Sequence, residues 1–485
     1  MTKIVNIIGG GLAGCEAAFK LANNNIKVNL YEMRNKNKLT PQHHSDKLGE
    51  LVCSNSFRNK NINSAIGLLH HEMRELGSLI LESADLNSLP AGAALGIDRE
   101  AFSKYITDKI SEHKNINLIR EEIKEIEGKR KDEIWLICSG PLTSDNLSKY
   151  IQKITDNDSL YFFDAIAPII YKESIDFDIA WYQSRYDKNS DINNGQEGDY
   201  INIPLNKEQY YEFINDLKES EKISFKDWEM DTPYFEGCMP IEVMAERGDE
   251  TLRFGPMKPV GLTNKHDGSK PYAVIQLRQD NKLDTLYNIV GFQTKMKYKE
   301  QKRILQKIPA LEKAEFARFG GLHRNSFINS PKILTNNLSL KKKNNIFFAG
   351  QITGVEGYVE SASIGLALGI FISKFLEEGS FPTKIPTNTA LGSLIWYITE
   401  GFCETSSSNS TKKQRNFQPM NINFGIINSK KYIEEEINNR INNLSKENPG
   451  KKFRKPKLTK QEKGEIIASQ AMKSINQWKK DNNIN

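Results

Sequence analysis

The sequence predicts an α/β fold in which a parallel-sheet domain is interrupted by an inserted α+β domain. Three observations predict it. A short apolar run, Ile4 to Ile8, enters Gly9-Gly10-Gly11-Leu12-Ala13-Gly14, and a helical pattern follows with Ala17, Ala18, Leu21 and Ala22 on one face. A second strand–glycine–helix unit appears only near residue 345, where Asn345 to Gln351 ends in Gly350 and a helical pattern runs from Val359 to Leu376. Between them, residues 156–324 change texture to short strands, aromatics and charged turns, with no second glycine motif of the first kind. Alternating strand and helix patterns argue for a parallel sheet, and a block of different texture argues for an insertion. The chain accordingly divides into 1–155, 156–324, 325–400 and a basic segment, 401–485.

The opening stretch is G-x-G-x-x-G in its proper setting, with a strand before it, a helix after it and a second strand, Ile26 to Tyr31, ending at Glu32. This pattern binds a dinucleotide. Gly9 permits the tight turn beside Gly10, Gly11 lets the backbone approach a pyrophosphate, and Gly14 lets the helix pack on the strand. The helix start at Leu12 and Ala13 offers free N–H groups to phosphates. Glu32 is placed to accept hydrogen bonds from a ribose. A glycine-rich turn in some other α/β protein is the alternative reading.

The polar stretch after Glu32 holds Cys53, flanked by Ser54 and Asn55 with Arg58 and Lys60 close in sequence. A thiol in an electropositive polar loop is a candidate nucleophile, whereas the ordinary role of a free cysteine is a small buried hydrophobe. Residues 64–83 read as one helix, with Leu68, Leu69, Met73, Leu76, Leu79 and Ile80 on a face. His70 and His71 adjoin this helix, and a solvated or capped histidine is expected at each rather than a ligand. Pro90 to Arg99 is small and flexible, which suits close approach to a flat ligand, and Arg99 begins a helix through Ile110. Strands follow in 116–127 and 133–138, with Cys138 buried.

Within 156–324, Cys238 lies between Gly237 and Met239-Pro240, beside Glu236 and Glu242, in irregular backbone where placed thiols sit. Arg247, Arg253 and Lys258, among glycines and prolines, read as ligand surface, and Tyr272 to Leu277 as a strand. The late unit supplies Gly350, Gln351, Gly354, Val355, Gly357 and Tyr358 at a second helix start aimed at the same crevice. A late unit that closes an early one marks FAD-binding folds of the glutathione-reductase-like kind and favours FAD over NAD. Residues 404–416 read as a loop, 429–444 and 459–479 as helices, and 449–455 as a basic turn.

Composition bounds the function. Hydrophobic residues make up 38% and mean hydropathy is −0.55. No apolar run is expected to reach the roughly 18 residues of a membrane span. The N-terminus enters a strand directly, leaving no room for a signal peptide, so a cytoplasmic protein without a membrane partner is expected. The five cysteines are widely spaced, with no C-x-x-C and no histidine pair at zinc spacing, so neither a disulfide framework nor a metal site is expected. The net charge is +6, yet residues 401–485 hold 17 Lys and Arg against 8 Asp and Glu. That segment fits contact with a polyanion such as RNA. The alternative is a chain rich in Lys, Asn and Ile throughout.

The motifs taken together resemble a known family. IIGGGLAGCEAA, LYEMR, TPQHHSDKLGELVCSNSFR, AIGLLHHEMR, FEGCMPIEVMAERG, LRFGPMKPVGL and FFAGQITGVEGYVESASIGL occur in the order found in the TrmFO (Gid) family of folate- and FAD-dependent tRNA (uracil-5-)-methyltransferases. The chain is also similar, more distantly, to the tRNA-modifying flavoproteins GidA/MnmG. The resemblance spans residues 4 to about 400; the segment after 400 is less distinctive. It implies that methylenetetrahydrofolate donates a one-carbon unit, FAD supplies the electrons, NAD(P)H regenerates the flavin, and the product is 5-methyluridine at U54 in the T-loop of tRNA. Some relatives instead modify a uridine of 23S ribosomal RNA. An NAD(P)H-linked flavin oxidoreductase of a small molecule is the remaining alternative. The resemblance also assigns the chemistry to Cys53 and Cys238, with Cys238 favoured as nucleophile and Cys53 as its acid/base partner, and the reverse left open. Gly9 to Gly14 and Glu32 would bind the adenosine-diphosphate half of FAD. Gly350, Gln351 and the Gly354–Tyr358 loop would lie near the flavin ring. Arg253, Lys258 and the basic end are the expected RNA contacts.

Overall fold

The computed structural model describes residues 4–40, 42–126, 133–156, 160–187, 198–223, 239–401, 417–447 and 456–484. Five parallel strands make the first sheet, in the spatial order Lys343–Phe348, Ile134–Ile137, Ile4–Ile8, Lys27–Tyr31 and Ile116–Ile119, with Ser339–Leu340 antiparallel at one edge. Val5, Ile7, Leu30, Leu136 and Phe348 are almost wholly buried, as strands covered on both faces require. Strand order reverses between Ile4–Ile8 and Ile134–Ile137, and a crevice opens beyond the carboxyl ends of strands at such a switch point. Gly9 sits there with φ +107°, and a Cβ on it would lie 2.5 Å from the Cys138 carbonyl oxygen.

Two helices cover this sheet and touch each other. The first, Leu12–Asn23, follows the glycine turn, and the closing helix, Tyr358–Glu378, follows the late unit. Their backbones approach so closely that a Cβ on Gly365 would lie 2.2 Å from the Ala13 carbonyl oxygen. The closing helix corrects one expectation. Its 21 residues are long and apolar enough to cross a membrane by length and composition, although 89% of its most apolar window is buried inside the protein. Its place against the first helix makes it a core helix.

The second sheet is antiparallel throughout, in the order Trp181–Tyr182, Tyr200–Leu205, Ala273–Gln279, Leu286–Ile289, Ile169–Tyr171 and Phe316–Arg318. It has its own core, in which Ile201, Ile203, Tyr210, Ile275 and Tyr287 pack together. The chain enters and leaves it through a two-stranded antiparallel ribbon, Leu160–Ile166 with Gly321–Phe327.

Elsewhere the structure departs from the sequence pattern. The helix expected over 64–83 is two, Ala65–Glu75 and Leu79–Leu86. Gly77 breaks it at φ +76°, and the Ser78 side chain restarts it by accepting from the Leu81 N–H. The six apolar residues of that face are nonetheless fully buried. The stretch from Pro90 to Arg99 is not a ligand-facing loop: Ala94–Ile97 pairs with Ser56–Asn59 and Ser88–Leu89, and Gly96 is pressed against Ala91. Helix Ala390–Thr399 had no sequence expectation. The buried Glu72 carboxylate accepts from its first N–H groups, Ala390 at 2.7 Å and Leu391 at 2.8 Å. The loop expected at 404–416 and the basic turn at 449–455 lie outside the described residues.

Candidate active site

A cleft of about 400 Å³ opens over the switch point. Gly9, Gly11, Leu12, Ala13 and Glu32 line it from the first unit, Gly350, Gln351, Gly357 and Tyr358 from the late unit, and Cys53 from the loop between. Gly11 begins the first helix without a side-chain cap, and a Cβ there would meet nothing within 4 Å. The closing helix also begins uncapped, at Gly357. Two helix starts, each with unsatisfied N–H groups and partial positive charge, thus converge on one cleft.

Four of the expected binding residues do not line the cleft. Gly14 packs under the turn, where a Cβ would lie 1.9 Å from the Gly9 carbonyl oxygen. Gly10 is closed in by Leu48 and by Glu32. Gly354, at φ +85°, lets the Phe417 ring come within 2.4 Å of its missing Cβ, and Val355 is fully buried and bridges to Met420. These residues shape the cleft from behind.

Glu32 is held firmly at the end of its strand. It accepts from the Gly10 N–H at 2.9 Å, the Arg34 N–H at 2.9 Å and the Arg34 Nε at 3.1 Å. Burial opposes its charge, but the Arg34 guanidinium and these hydrogen bonds outweigh burial and hold the carboxyl below the usual range. Sequence reasoning passed over Arg34, although LYEMR places it two residues beyond the acid. An acid kept ionised at the strand end, a glycine floor without Cβ atoms and two uncapped helix starts fit the adenosine and pyrophosphate of a bound FAD.

The Cys53 loop is gripped from four sides. The Tyr358 hydroxyl accepts from the N–H groups of Cys53 at 2.6 Å and Ser54 at 3.1 Å. Arg99 donates to the carbonyls of Leu51 at 2.6 Å and Cys53 at 2.9 Å, and Arg318 to Val52 at 2.8 Å. Arg278 donates to the Ser54 hydroxyl and the Asn55 amide oxygen, both at 2.9 Å. Burial holds Arg278 and Arg318 below the usual arginine range. Burial also opposes the charge of Arg99, but Asp280, 3.1 Å away, more than offsets it. The half-buried Cys53 thiol lies 3.7 Å from the Ala165 carbonyl oxygen.

Cys53 also lines a second chamber of about 320 Å³, with Met239, Met244, Pro256, Arg278 and Gln293. Cys238 lies outside the described residues; Met239 follows it directly in the chain. The expected RNA contact Arg253 is engaged elsewhere. It donates to the Tyr272 carbonyl at 3.0 Å, pairs with Glu250 at 3.1 Å and stands 4.2 Å over the Tyr272 ring. Lys258 is exposed, and neither residue lines the cleft or the chamber. His70 is buried and pushed down to about 3 by that burial, and His71 contacts the Gly67 carbonyl within its own helix. Burial pushes the Cys138 thiol up to about 12 and the Cys15 thiol up as well, so both are neutral packing residues.

A parallel sheet with two glycine-led helices, an acid at the second strand's end and a thiol on the cleft's wall define a flavoprotein-type enzyme fold. A family model described as "Glucose inhibited division protein A" matches residues 4–380. The solved structure of Aquifex aeolicus GidA is similar in fold, with a TM-score of 0.60 at 15% identity over 99% of this chain and 88% of that one. A Zymomonas mobilis protein is 57% identical over 426 residues, 87% of this chain and 90% of its own length. A Rhodopseudomonas palustris protein is 51% identical over 480 residues, 98% of this chain and 96% of its own. Both are named methylenetetrahydrofolate–tRNA-(uracil-5-)-methyltransferase TrmFO. The chain belongs to the TrmFO family, within the broader GidA group.

Proposed function

We propose that this protein methylates C5 of a uracil in tRNA, taking the one-carbon unit from methylenetetrahydrofolate, and that its target is U54 of the T-arm. The observation that carries the reading is the place of Cys53, on the wall shared by the glycine-floored cleft and the second chamber, in a chain 57% identical to a TrmFO enzyme. FAD, reduced by NAD(P)H, supplies the electrons when bound. The chain's own residues hold it: Gly11 to Ala13 and Gly357 to Tyr358 at the two helix starts, and Glu32, fixed by Arg34, at the adenosine end.

Uracil C5 is a poor nucleophile, and a thiolate adding at C6 activates it. Two thiols divide this work, one adding to C6 and the other moving the C5 proton. Cys238 is our proposed nucleophile and Cys53 its acid/base partner. Arg99, Arg278, Arg318 and Tyr358 keep the Cys53 loop in one geometry. The target base must leave its stack to reach the chamber, which costs a few kcal/mol. Purified protein is expected to be yellow and, with methylenetetrahydrofolate and NADPH, to methylate unmodified tRNA. Cys53→Ala and Cys238→Ala are each expected to abolish turnover, and full activity in both would overturn the assignment. Mapping 5-methyluridine in tRNA and in 23S ribosomal RNA from cells lacking the gene tests the choice of target.

A further inference from the structure

The surface beside the Cys53 loop carries a feature that the methylation chemistry does not use. Phe316, Phe319 and Tyr298 form a ladder of nearly parallel rings. Phe316 and Phe319 have centroids 4.8 Å apart at 17°, and Phe319 and Tyr298 are 5.2 Å apart at 20°. Phe316 is anchored against the core of the second sheet, whereas Tyr298, the outermost ring, is 63% exposed. A stack that ends on a largely exposed ring leaves a π face for another flat group.

The ladder is rigid and tied to the site. Phe316–Arg318 is an edge strand with a bulge, since Phe316 and Arg318 oppose the consecutive residues Ile170 and Ile169. Bulges re-aim side chains. Here the bulged strand carries Phe316, while Arg318 reaches the Val52 carbonyl at 2.8 Å, one residue from Cys53. Buried Gln301 joins the other two rungs. Its side chain accepts from the Gly320 N–H at 2.8 Å and donates to the carbonyls of Gly320 at 3.1 Å and Met296 at 2.8 Å. The helix that starts at Tyr298 is therefore locked to the turn that carries Phe319.

The charge around the outer ring selects the occupant. Residues 295–303, KMKYKEQKR, hold five basic residues and one acidic one. Arg303 is paired with Glu300 and Asp216, and Lys297 with Glu221. Lys299 and Lys302 are exposed, and Lys302, four residues beyond Tyr298, lies on the same helix face. An aromatic face bordered by lysines is how proteins hold unstacked nucleic acid without reading its sequence.

We propose that the Tyr298–Phe319–Phe316 ladder is a stacking platform for an unpaired base of the substrate RNA, a neighbour of the uridine delivered to Cys53. The inference rests on the RNA-methylation reading. Alanine in place of a stacking residue costs about 1–3 kcal/mol per base. Tyr298→Ala is therefore expected to weaken binding of unmodified tRNA transcript about 5- to 150-fold by fluorescence anisotropy, and Tyr298→Trp to restore it. Flavin content and melting temperature report that each variant is folded. Transcripts carrying single abasic sites through the T-loop supply the second arm. At one position the abasic site is expected to weaken wild-type binding while leaving Tyr298→Ala no weaker than before. Wild-type affinity in Tyr298→Ala, equal loss in the Ala and Trp variants, or the absence of any such position overturns the proposal. Wild-type protein that neither binds nor methylates tRNA overturns instead the reading on which it rests.

Discussion

Arg34 shows how one side chain sets the state of another. Glu32 is 5% exposed, and its two oxygens accept from Gly10 and Arg34. A buried carboxylate without a partner cation is costly, and breaking such a pair from one side costs about 3–5 kcal/mol. Arg34→Ala is expected to lower stability by an amount of that order and to reduce bound flavin, because the acid at the strand end then takes up a proton or turns away. Arg34→Lys keeps the charge but loses the planar fork, and an intermediate loss is expected. The ratio of flavin absorbance to protein, with thermal melting, checks both; full flavin occupancy in Arg34→Ala would remove the acid from the binding site. The same scale shows what the sequence displayed and what it hid. Gly9, Gly11 and Glu32 were legible because each belongs to a short motif whose spacing has a local physical cause, whereas Cys53 stood out only as a thiol in a polar, electropositive loop and drew its proposed role from the family resemblance. The Cys53 clamps were not, since Arg99, Arg278 and Arg318 reach residues 46, 224 and 266 positions away. No local periodicity encodes such long reaches; only the folded topology brings these residues together.

Two helices decide whether the cleft exists. The first helix and the closing helix start on opposite halves of the sequence, and their starts converge because Gly365 removes the side chain that would separate them. The helical period revealed both elements. It could not reveal that Gly365 faces a backbone oxygen of the first helix, or that the pattern over 64–83 breaks at Gly77, because an apolar face is read the same way through a glycine. Gly365→Ala places a methyl group 2.2 Å from the Ala13 carbonyl oxygen, so the helices must part. Overpacking of this kind costs about 1–3 kcal/mol, and it moves both anion-facing helix starts. We expect Gly365→Ala to lose flavin as well as stability. Gly379→Ala is the control. It ends the same helix at φ +76° with nothing within 4 Å of the added Cβ, so it should cost about 1 kcal/mol of backbone strain and retain flavin. Equal flavin content in the two variants would show that the helix crossing does not set the cleft.

At the scale of the whole molecule, packing and charge in the basic end of the chain can be tested apart. Helix Lys460–Asp481 is docked: Ile467, Ala471, Ile475 and Trp478 are buried, the Trp478 Nε1 donates to the Thr383 carbonyl at 2.8 Å, and Lys479 donates to the Glu75 carbonyl at 3.1 Å. One face of this segment therefore belongs to the core, and simple truncation would confuse folding with binding. Its start carries charge, with Lys457, Lys460 and Lys463 exposed in the stretch that leads into the helix and in its first turn. Point variants separate the two. Trp478→Ala removes a buried aromatic ring and is expected to cost about 3–5 kcal/mol of stability. Lys457→Gln, Lys460→Gln and Lys463→Gln together remove only surface charge and are expected to leave melting unchanged. If these lysines meet phosphates, each neutralised phosphate releases counterions, and the slope of log Kobs for tRNA against log salt falls by about 0.7–0.9 for every phosphate that a lysine no longer neutralises. The triple variant should then show a slope shallower by about 2–3 and weaker binding at low salt. An unchanged slope would mean that these lysines meet no phosphate and that the excess charge reflects the lysine-rich composition of the chain.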